Sequence, residues 1–375
     1  MNMRLSAIRI LEIGDHHHFK QTLFDQTKLL WTGRRRPKLP PRDYADCTPR
    51  AFVQAMREAA AGKFHIVVVY AGQRSPWHPR YWLRALFGQS PFAAAMRGFG
   101  VTWLRYVGAH PPIVALDMHD IPSIHPSNFF LLDRARIYFK RELPVDHWQS
   151  LCGTAHANLP TSRIRQNLHW QRRIAKLHPI SLQAGAINLD RTDAEVFAGK
   201  TSDVFFAGAI AANSTVRSEG LAQLRKLAHR GIRVDIAEAR LSPDDYHRRL
   251  SQAWLAWSPS GLGWDCYRHY EAPQCLAVPV LNYPTIARDR PLQDGVHAIY
   301  YAPEGNGLGS AIEAALADKE RLERMALAAR AHVRACHVGA AFCERVLGLA
   351  LQDNTDDGLD NACEAPNQGR TDATR

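Results

Sequence analysis

Short apolar runs that stop at a glycine or an acid recur along this chain, and stretches of helical periodicity separate them. AIRILEIG (Ala7 to Gly14) and FHIVVVY (Phe64 to Tyr70) read as buried strands, with the amphipathic helix pattern TPRAFVQAMREAAAG (Thr48 to Gly62) between them. A proline-dense basic insert, TGRRRPKLPPRD (Thr32 to Asp43), reads as a loop. PPIVALDMHD (Pro111 to Asp120) and RARIYFKREL (Arg134 to Leu143) continue the series. Strand, helix and strand in that order predict parallel β/α layering.

The pattern restarts near residue 200. DVFFAG (Asp203 to Gly208) predicts a strand, NSTVRSEGLAQLRKLAHRG (Asn213 to Gly231) a helix with a glycine stop, and IRVDIAEA the next strand. SPDDYHRRLSQA (Ser242 to Ala253) opens as a helix with Ser, Pro and two acids, then WLAWSPSG runs as a strand into a loop. YRHYEAPQCLA reads as a short helix before the strand VPVLNYP, and Gly309 to Leu351 is alanine-rich and helical. The 375 residues therefore divide, on this reading, into an α/β half over 1–190, a second over 191–351, and a polar tail over 352–375 predicted to be disordered.

Composition narrows the classes. No run of about 18 apolar residues is present, and Glu12 and Asp15 interrupt the start before a signal segment can form. Seven scattered cysteines without a CxxC pair fit neither a disulfide framework nor a zinc ribbon, so a reducing cytoplasm is expected. The net charge of +11 is uneven: residues 1–190 hold 26 Lys+Arg against 12 Asp+Glu, a balance of +14, and the rest hold 21 against 24, a balance of −3. An anionic partner for the first half is implied: phosphorylated substrate, acidic membrane surface or nucleic acid. No nucleic-acid-binding motif accompanies the charge, so that partner ranks last.

The segment most informative about chemistry is SPSGLGWDCYRHYEAPQCLAVPVL (Ser258 to Leu281). Ligands of α/β sheets bind at the carboxyl ends of strands, and here a glycine loop with Gly261 and Gly263 follows such an end and precedes Arg268, Tyr270 and Glu271. A carboxylate fixed there accepts two hydroxyl hydrogen bonds, as from a ribose, and an arginine one turn away offers a forked donor to a diphosphate. The bland counterpart is an exposed ion pair between Arg268 and Glu271, worth a few tenths of a kcal/mol.

Together, DVFFAG, LSPDDYHRRLSQAWLAWSPSGLGWDCYRHYEA, VPVL and DGVHAIYY resemble the C-terminal domain of GT-B glycosyltransferases, most nearly the bacterial spore-maturation type and family-1-like groups. The resemblance covers residues 200 to 350 well, and the first half only through its strand ends and YFKRELP (Tyr138 to Pro144). It implies two Rossmann-like domains facing a cleft, a nucleotide-sugar donor held by the second, an acceptor held by the first, no cofactor and no obligatory metal. On it Glu271 takes the ribose hydroxyls, Arg268 the diphosphate, and the loop from Gly208 to Ser214 lies with Arg217 under the phosphates. Many such enzymes place another glutamate eight residues before the second; here that position is Gly263. The departure leaves stereochemistry open, and with it a second reading, a GT-B module that binds a sugar nucleotide or scaffolds polysaccharide assembly without transfer.

An inverting transfer needs a base for the acceptor hydroxyl. Asp15 with His16 after the first strand, and Asp117, His119 and Asp120 after PPIVAL, are the candidates, each with a loop-capping role as its alternative. Arg217 is equally a residue of a capped helix start. The His16, His17, His18 run is not expected to hold a metal, since adjacent side chains diverge. Trp77, Arg80, Tyr81, Trp82 and Arg84 pack a helix or meet a lipid acceptor, and the basic stretch RIRQNLHWQRRIAKLH (Arg163 to His178) suits an anionic lipid surface or a solvated hinge helix. Cys266 and Cys275 read as packing residues. The expectation is a cytoplasmic glycosyltransferase acting on a glycan, lipid-linked or protein acceptor, with a peripheral place on the inner membrane surface left open.

Overall fold

The computed structural model describes residues 7–72, 79–87, 96–108, 110–152, 168–209 and 214–352. The expected tail, part of the aromatic stretch around Trp77, the start of the basic stretch at Arg163 and most of the loop after Gly208 lie outside the described residues.

Two parallel sheets form the architecture. The first contains β1 (Ile10–Gly14), β2 (Thr27–Trp31), β3 (Ala45–Asp46), β4 (Ile66–Tyr70), β5 (Ile113–Asp117), β6 (Ile137–Lys140) and β7 (Leu177–Pro179), in the order β3-β2-β1-β4-β5-β6-β7. The second contains β8 (Ser202–Phe206), β9 (Val234–Ile236), β10 (Ala253–Trp257), β11 (Val278–Asn282) and β12 (Ile299–Tyr301), in the order β12-β11-β10-β8-β9. The α/β expectation of two Rossmann-like halves holds. The central strands β1, β4 and β5 are buried at every residue because helices cover both faces, which is why they read as continuous apolar runs. β2 and β3 fall where the sequence suggested no strand; in β2 only Leu29, Leu30 and Trp31 form an apolar run, and Lys28 reaches out to Glu58 at 2.8 Å.

Helix starts follow their local chemistry. Thr48 caps the helix Pro49–Ala60 by accepting from Ala51 N–H at 3.2 Å, and Phe52, Ala55, Met56 and Ala59 form its buried stripe. Ser242 caps Pro243–Ser251 through Asp245 N–H at 3.1 Å. The alanine-rich end comprises three helices, Gly307–Leu316, Lys319–Cys336 and Ala340–Leu351. The last of these returns to the first sheet: Phe342, Cys343, Val346, Leu347 and Ala350 share a core with Ile8, Ile10 and Phe19. A boundary after residue 190 assigns this helix to the second half by sequence, whereas its apolar face packs on the first.

In each sheet the strand order reverses once, between β1 and β4 in the first and between β8 and β10 in the second. Diverging loops at such reversals open a crevice at the carboxyl ends of the strands, where ligands of this kind of sheet generally bind. The halves meet at a seam where Ala287 N–H donates to Leu143 O at 2.8 Å, Leu182 N–H to Asp265 at 2.9 Å and Ala184 N–H to His337 O at 3.0 Å. No described helix is long and apolar enough to cross a membrane.

Candidate functional site

At the second reversal, the ends of β8 and β10 carry Ala207 to Ala209 and Ser258 to Gly263. Arg268 lies across them, donating from Nη1 to Ala207 O at 3.1 Å and from Nη2 to Pro259 O at 3.4 Å, and its buried Nε has no hydrogen-bond partner among the described residues. Arg217, on the helix Thr215–His229, donates from Nε to Ser260 O at 2.9 Å and from Nη1 to Ala209 O at 2.5 Å. Both guanidiniums pass close over glycines, so a side chain at either position would displace an arginine head. A Cβ on Gly208 would stand 2.9 Å from Arg268 Nη1, and one on Gly261 would stand 2.8 Å from Arg217 Nη2. Among the described residues neither guanidinium forms an ion pair with a carboxylate. Burial, then the charge of Arg268, holds Arg217 below its ordinary pKa. Two cations fixed side by side by neutral carbonyls make a receptor for an anion of more than one charge.

Next to them lies a pocket of about 640 Å³, lined by Ala207 to Ala209, the loop Ala237 to Pro243, Tyr246, His247 and Glu271. Glu271 Oε2 accepts from the Tyr246 hydroxyl at 2.9 Å. Burial raises its carboxyl above the usual range, against the Tyr246 hydrogen bond and the nearby His247 charge. Arg268 and Glu271 share a helix but form no ion pair, so the bland alternative for the two is absent. Tyr270 does not line the pocket. It is buried, its hydroxyl donates to Asp265 at 2.6 Å, and its ring packs on His337 with centroids 4.7 Å apart. Gly263 faces a carboxylate of the first half, Glu142.

The first reversal gathers the acceptor-side candidates unequally. His16 Nδ1 and Asp15 Oδ1 are 3.0 Å apart at the partly exposed end of β1, with the His16 ring stacked on Tyr70 at 5.1 Å. Burial raises the Asp15 pKa, but the His16 hydrogen bond and the charges of His16 and His119 carry it below the ordinary value. His119 comes in from the end of β5, buried, with Nε2 2.8 Å from Ala71 O. Asp117 is withdrawn into the core, paired with Lys140 Nζ at 3.1 Å and bonded by the Tyr138 hydroxyl at 3.0 Å. Asp120 is exposed and ion-paired with Arg141. Among the described residues no cluster of three or more His, Cys, Asp or Glu is placed to hold a metal ion.

Sequence comparison finds no matching protein-family model and no matching characterised protein. Comparison of structures does find likeness. A sucrose-phosphate synthase from Thermosynechococcus elongatus superposes with a TM-score of 0.52 at 11% identity, over 91% of this chain and 98% of its own. A glycosyltransferase from Rickettsia africae gives 0.52 at 9% identity, over 92% and 97%. HepE of Anabaena, in a complex with UDP and glucose, gives 0.51 at 11% identity, over 91% and 99%. The chain has the GT-B fold. These identities concern architecture alone, and both halves take part in it, although the sequence resemblance was clear only for the second.

Two contributors escape a reading of the sequence. Tyr246 and the Ala237 to Pro243 loop reach the pocket only through the placement of β9. Glu142 comes to the glycine loop from the other half, and nothing local announces it. Cys266, read as a packing residue, does not line the pocket; its Sγ lies 3.4 Å from Ser258 Oγ, and although burial pushes its thiol up, His269 and Arg268 pull it below the usual range.

Proposed function

We propose that the protein is a glycosyltransferase that moves a sugar from a nucleoside-diphosphate sugar to a hydroxyl of a glycan, lipid-linked or protein acceptor. The observation that carries this reading is the pair Arg217 and Arg268, held by carbonyl oxygens, with no carboxylate partner among the described residues, and set beside Glu271. A diphosphate gains charge as its bond to the anomeric carbon breaks, and two preorganised guanidiniums stabilise that charge where it develops. They supply in protein form what a divalent metal supplies elsewhere, so transfer proceeds without one. Glu271, with lone pairs left beyond its bond to Tyr246, accepts the ribose hydroxyls. In an inverting transfer His16, oriented by Asp15, takes the acceptor proton. HepE, whose structure holds UDP and glucose, makes UDP the first nucleotide to test. The +14 balance of residues 1–190 suits an acceptor or surface that bears phosphate.

Glu271→Ala and Arg268→Ala each remove a charge-assisted hydrogen bond and weaken UDP binding by roughly 1.5–3 kcal/mol, or about 10- to 150-fold. If the transfer inverts, His16→Ala leaves UDP affinity intact and lowers the transfer rate by about 10²- to 10⁴-fold, the range of general-base catalysis. Wild-type affinity in both donor-site variants removes the assignment. Gly263, where a glutamate stands in many similar enzymes, favours one rival: a module that binds sugar nucleotides without transferring them. Donor turnover that disappears in Glu271→Ala rules this rival out.

A further inference from the structure

Glu142 follows β6 in the first half, yet its carboxylate lies against the glycine loop of the second. Oε2 accepts from Trp264 N–H at 2.8 Å and Oε1 from Asp265 N–H at 2.9 Å. A Cβ on Gly263 would stand 2.5 Å from both Cδ and Oε1 of this side chain. Gly263 is not among the glycines of positive φ, so it is room for the carboxylate that position 263 requires, not backbone freedom. Any side chain there would occupy the volume that Glu142 fills. The charged groups around Glu142 are Arg141, whose Nε is 3.6 Å from Oε1 and which is itself paired with Asp120, and Asp265, which also meets Leu182 N–H, the Tyr270 hydroxyl and, at 3.8 Å, His269 Nδ1.

The loop so held is the floor of the arginine pair. Gly261 N–H donates to Gly263 O at 2.8 Å, Ser260 N–H to the Asn282 side chain at 2.8 Å, and Ser260 O receives Arg217 Nε. A shift of Trp264 and Asp265 therefore passes through one tight turn to the carbonyl that orients Arg217. The geometry points to Glu142 as a positioning residue: supplied across the seam by the first half, it takes the place of a side chain at 263 and sets the loop Gly261 to Asp265, so that the anion receptor is complete only when the two halves meet. The ligand part of this inference rests on the proposed nucleotide site, whereas the loop part does not.

The test uses the full chain and two readouts. Amide hydrogen exchange without nucleotide reads the loop directly, because the Trp264 and Asp265 amides are the donors. In Glu142→Ala the segment 261–266 exchanges at least about tenfold faster while β10 keeps its wild-type protection, and Glu142→Gln, which keeps one acceptor oxygen, falls between. UDP affinity then drops about tenfold in Glu142→Ala. Gly263→Ala attacks the same contact from the other side and keeps the question open should Glu142→Ala fold poorly; it gives the same two effects. The double variant is no worse than the worse single one, since both remove one contact. Unchanged loop exchange in Glu142→Ala overturns the inference, as does faster exchange with wild-type UDP affinity, or losses that multiply in the double variant. If the wild type binds no nucleoside diphosphate, the nucleotide site fails, and the exchange result still decides whether Glu142 sets the loop.

Discussion

Glu12 is fully buried on β1, where it accepts hydrogen bonds from Phe19 N–H at 3.0 Å, Lys20 N–H at 2.8 Å and the Tyr70 hydroxyl at 2.8 Å. Burial pushes its carboxyl from 4.5 to about 7, against all three bonds. A folded-state pKa above the unfolded one means the native state holds the proton more tightly, so this residue's contribution is present in full below pH 4.5 and is lost as pH rises to about 7. His18 and His337, pulled by burial to about 3 and about 4, act in the opposite sense, so the comparison must be between variants. Denaturant titrations from pH 5 to pH 7.5 will show stability changing more favourably with rising pH in Glu12→Gln than in the wild type; parallel pH profiles would contradict the shift. Single residues were unevenly legible in the sequence. Arg268 and Glu271 stand at a glycine-loop-to-helix transition that local spacing makes visible, whereas Arg217 is singled out only by the resemblance to GT-B enzymes. Glu142 against the glycine loop, and His119 near Asp15, are approaches between distant segments, which local spacing cannot encode.

Among the elements, the helix Thr215–His229 matters most to the site because it carries Arg217. It lies so close to β10 that a Cβ on Gly220 would stand 2.2 Å from Trp257 Cζ2, and Trp257 is fully buried with its indole N–H bonded to the Tyr301 hydroxyl at 2.9 Å. Gly220→Ala must push the helix off the sheet, at about 1–3 kcal/mol of stability. The same displacement withdraws Arg217 from Ser260 O, so UDP affinity falls in a variant whose substitution touches no ligand. Thermal unfolding with and without UDP checks both: a lower melting temperature and a smaller ligand-induced rise are expected, and a full-size rise contradicts the coupling. The helix itself was readable from NSTVRSEGLAQLRKLAHRG and its glycine stop, and so were the strands buried on both faces. β2 and β3 were not, because three apolar residues in one and two residues in the other give no periodicity to read.

For the whole molecule, the last described helix, Ala340–Leu351, ties the second half back to the first strand. Phe342 is buried against His18 and Phe19, with ring centroids 5.3 and 6.4 Å away, so Phe342→Ala should cost about 3–5 kcal/mol and loosen the first half although the residue is remote from it in sequence. Limited proteolysis reads this as earlier cleavage within residues 7–152; cleavage confined to the second half contradicts it. Sequence made two α/β halves visible but placed their boundary by the restart of the pattern, and a helix that crosses back leaves no mark in periodicity. The account as a whole depends on one site, the arginine pair beside Glu271. Isothermal titration of the wild type, Arg268→Ala and Glu271→Ala with UDP tests it most directly. Saturable binding to the wild type that weakens at least about tenfold in each variant is the predicted result; equal binding by all three, or none by the wild type, contradicts the account.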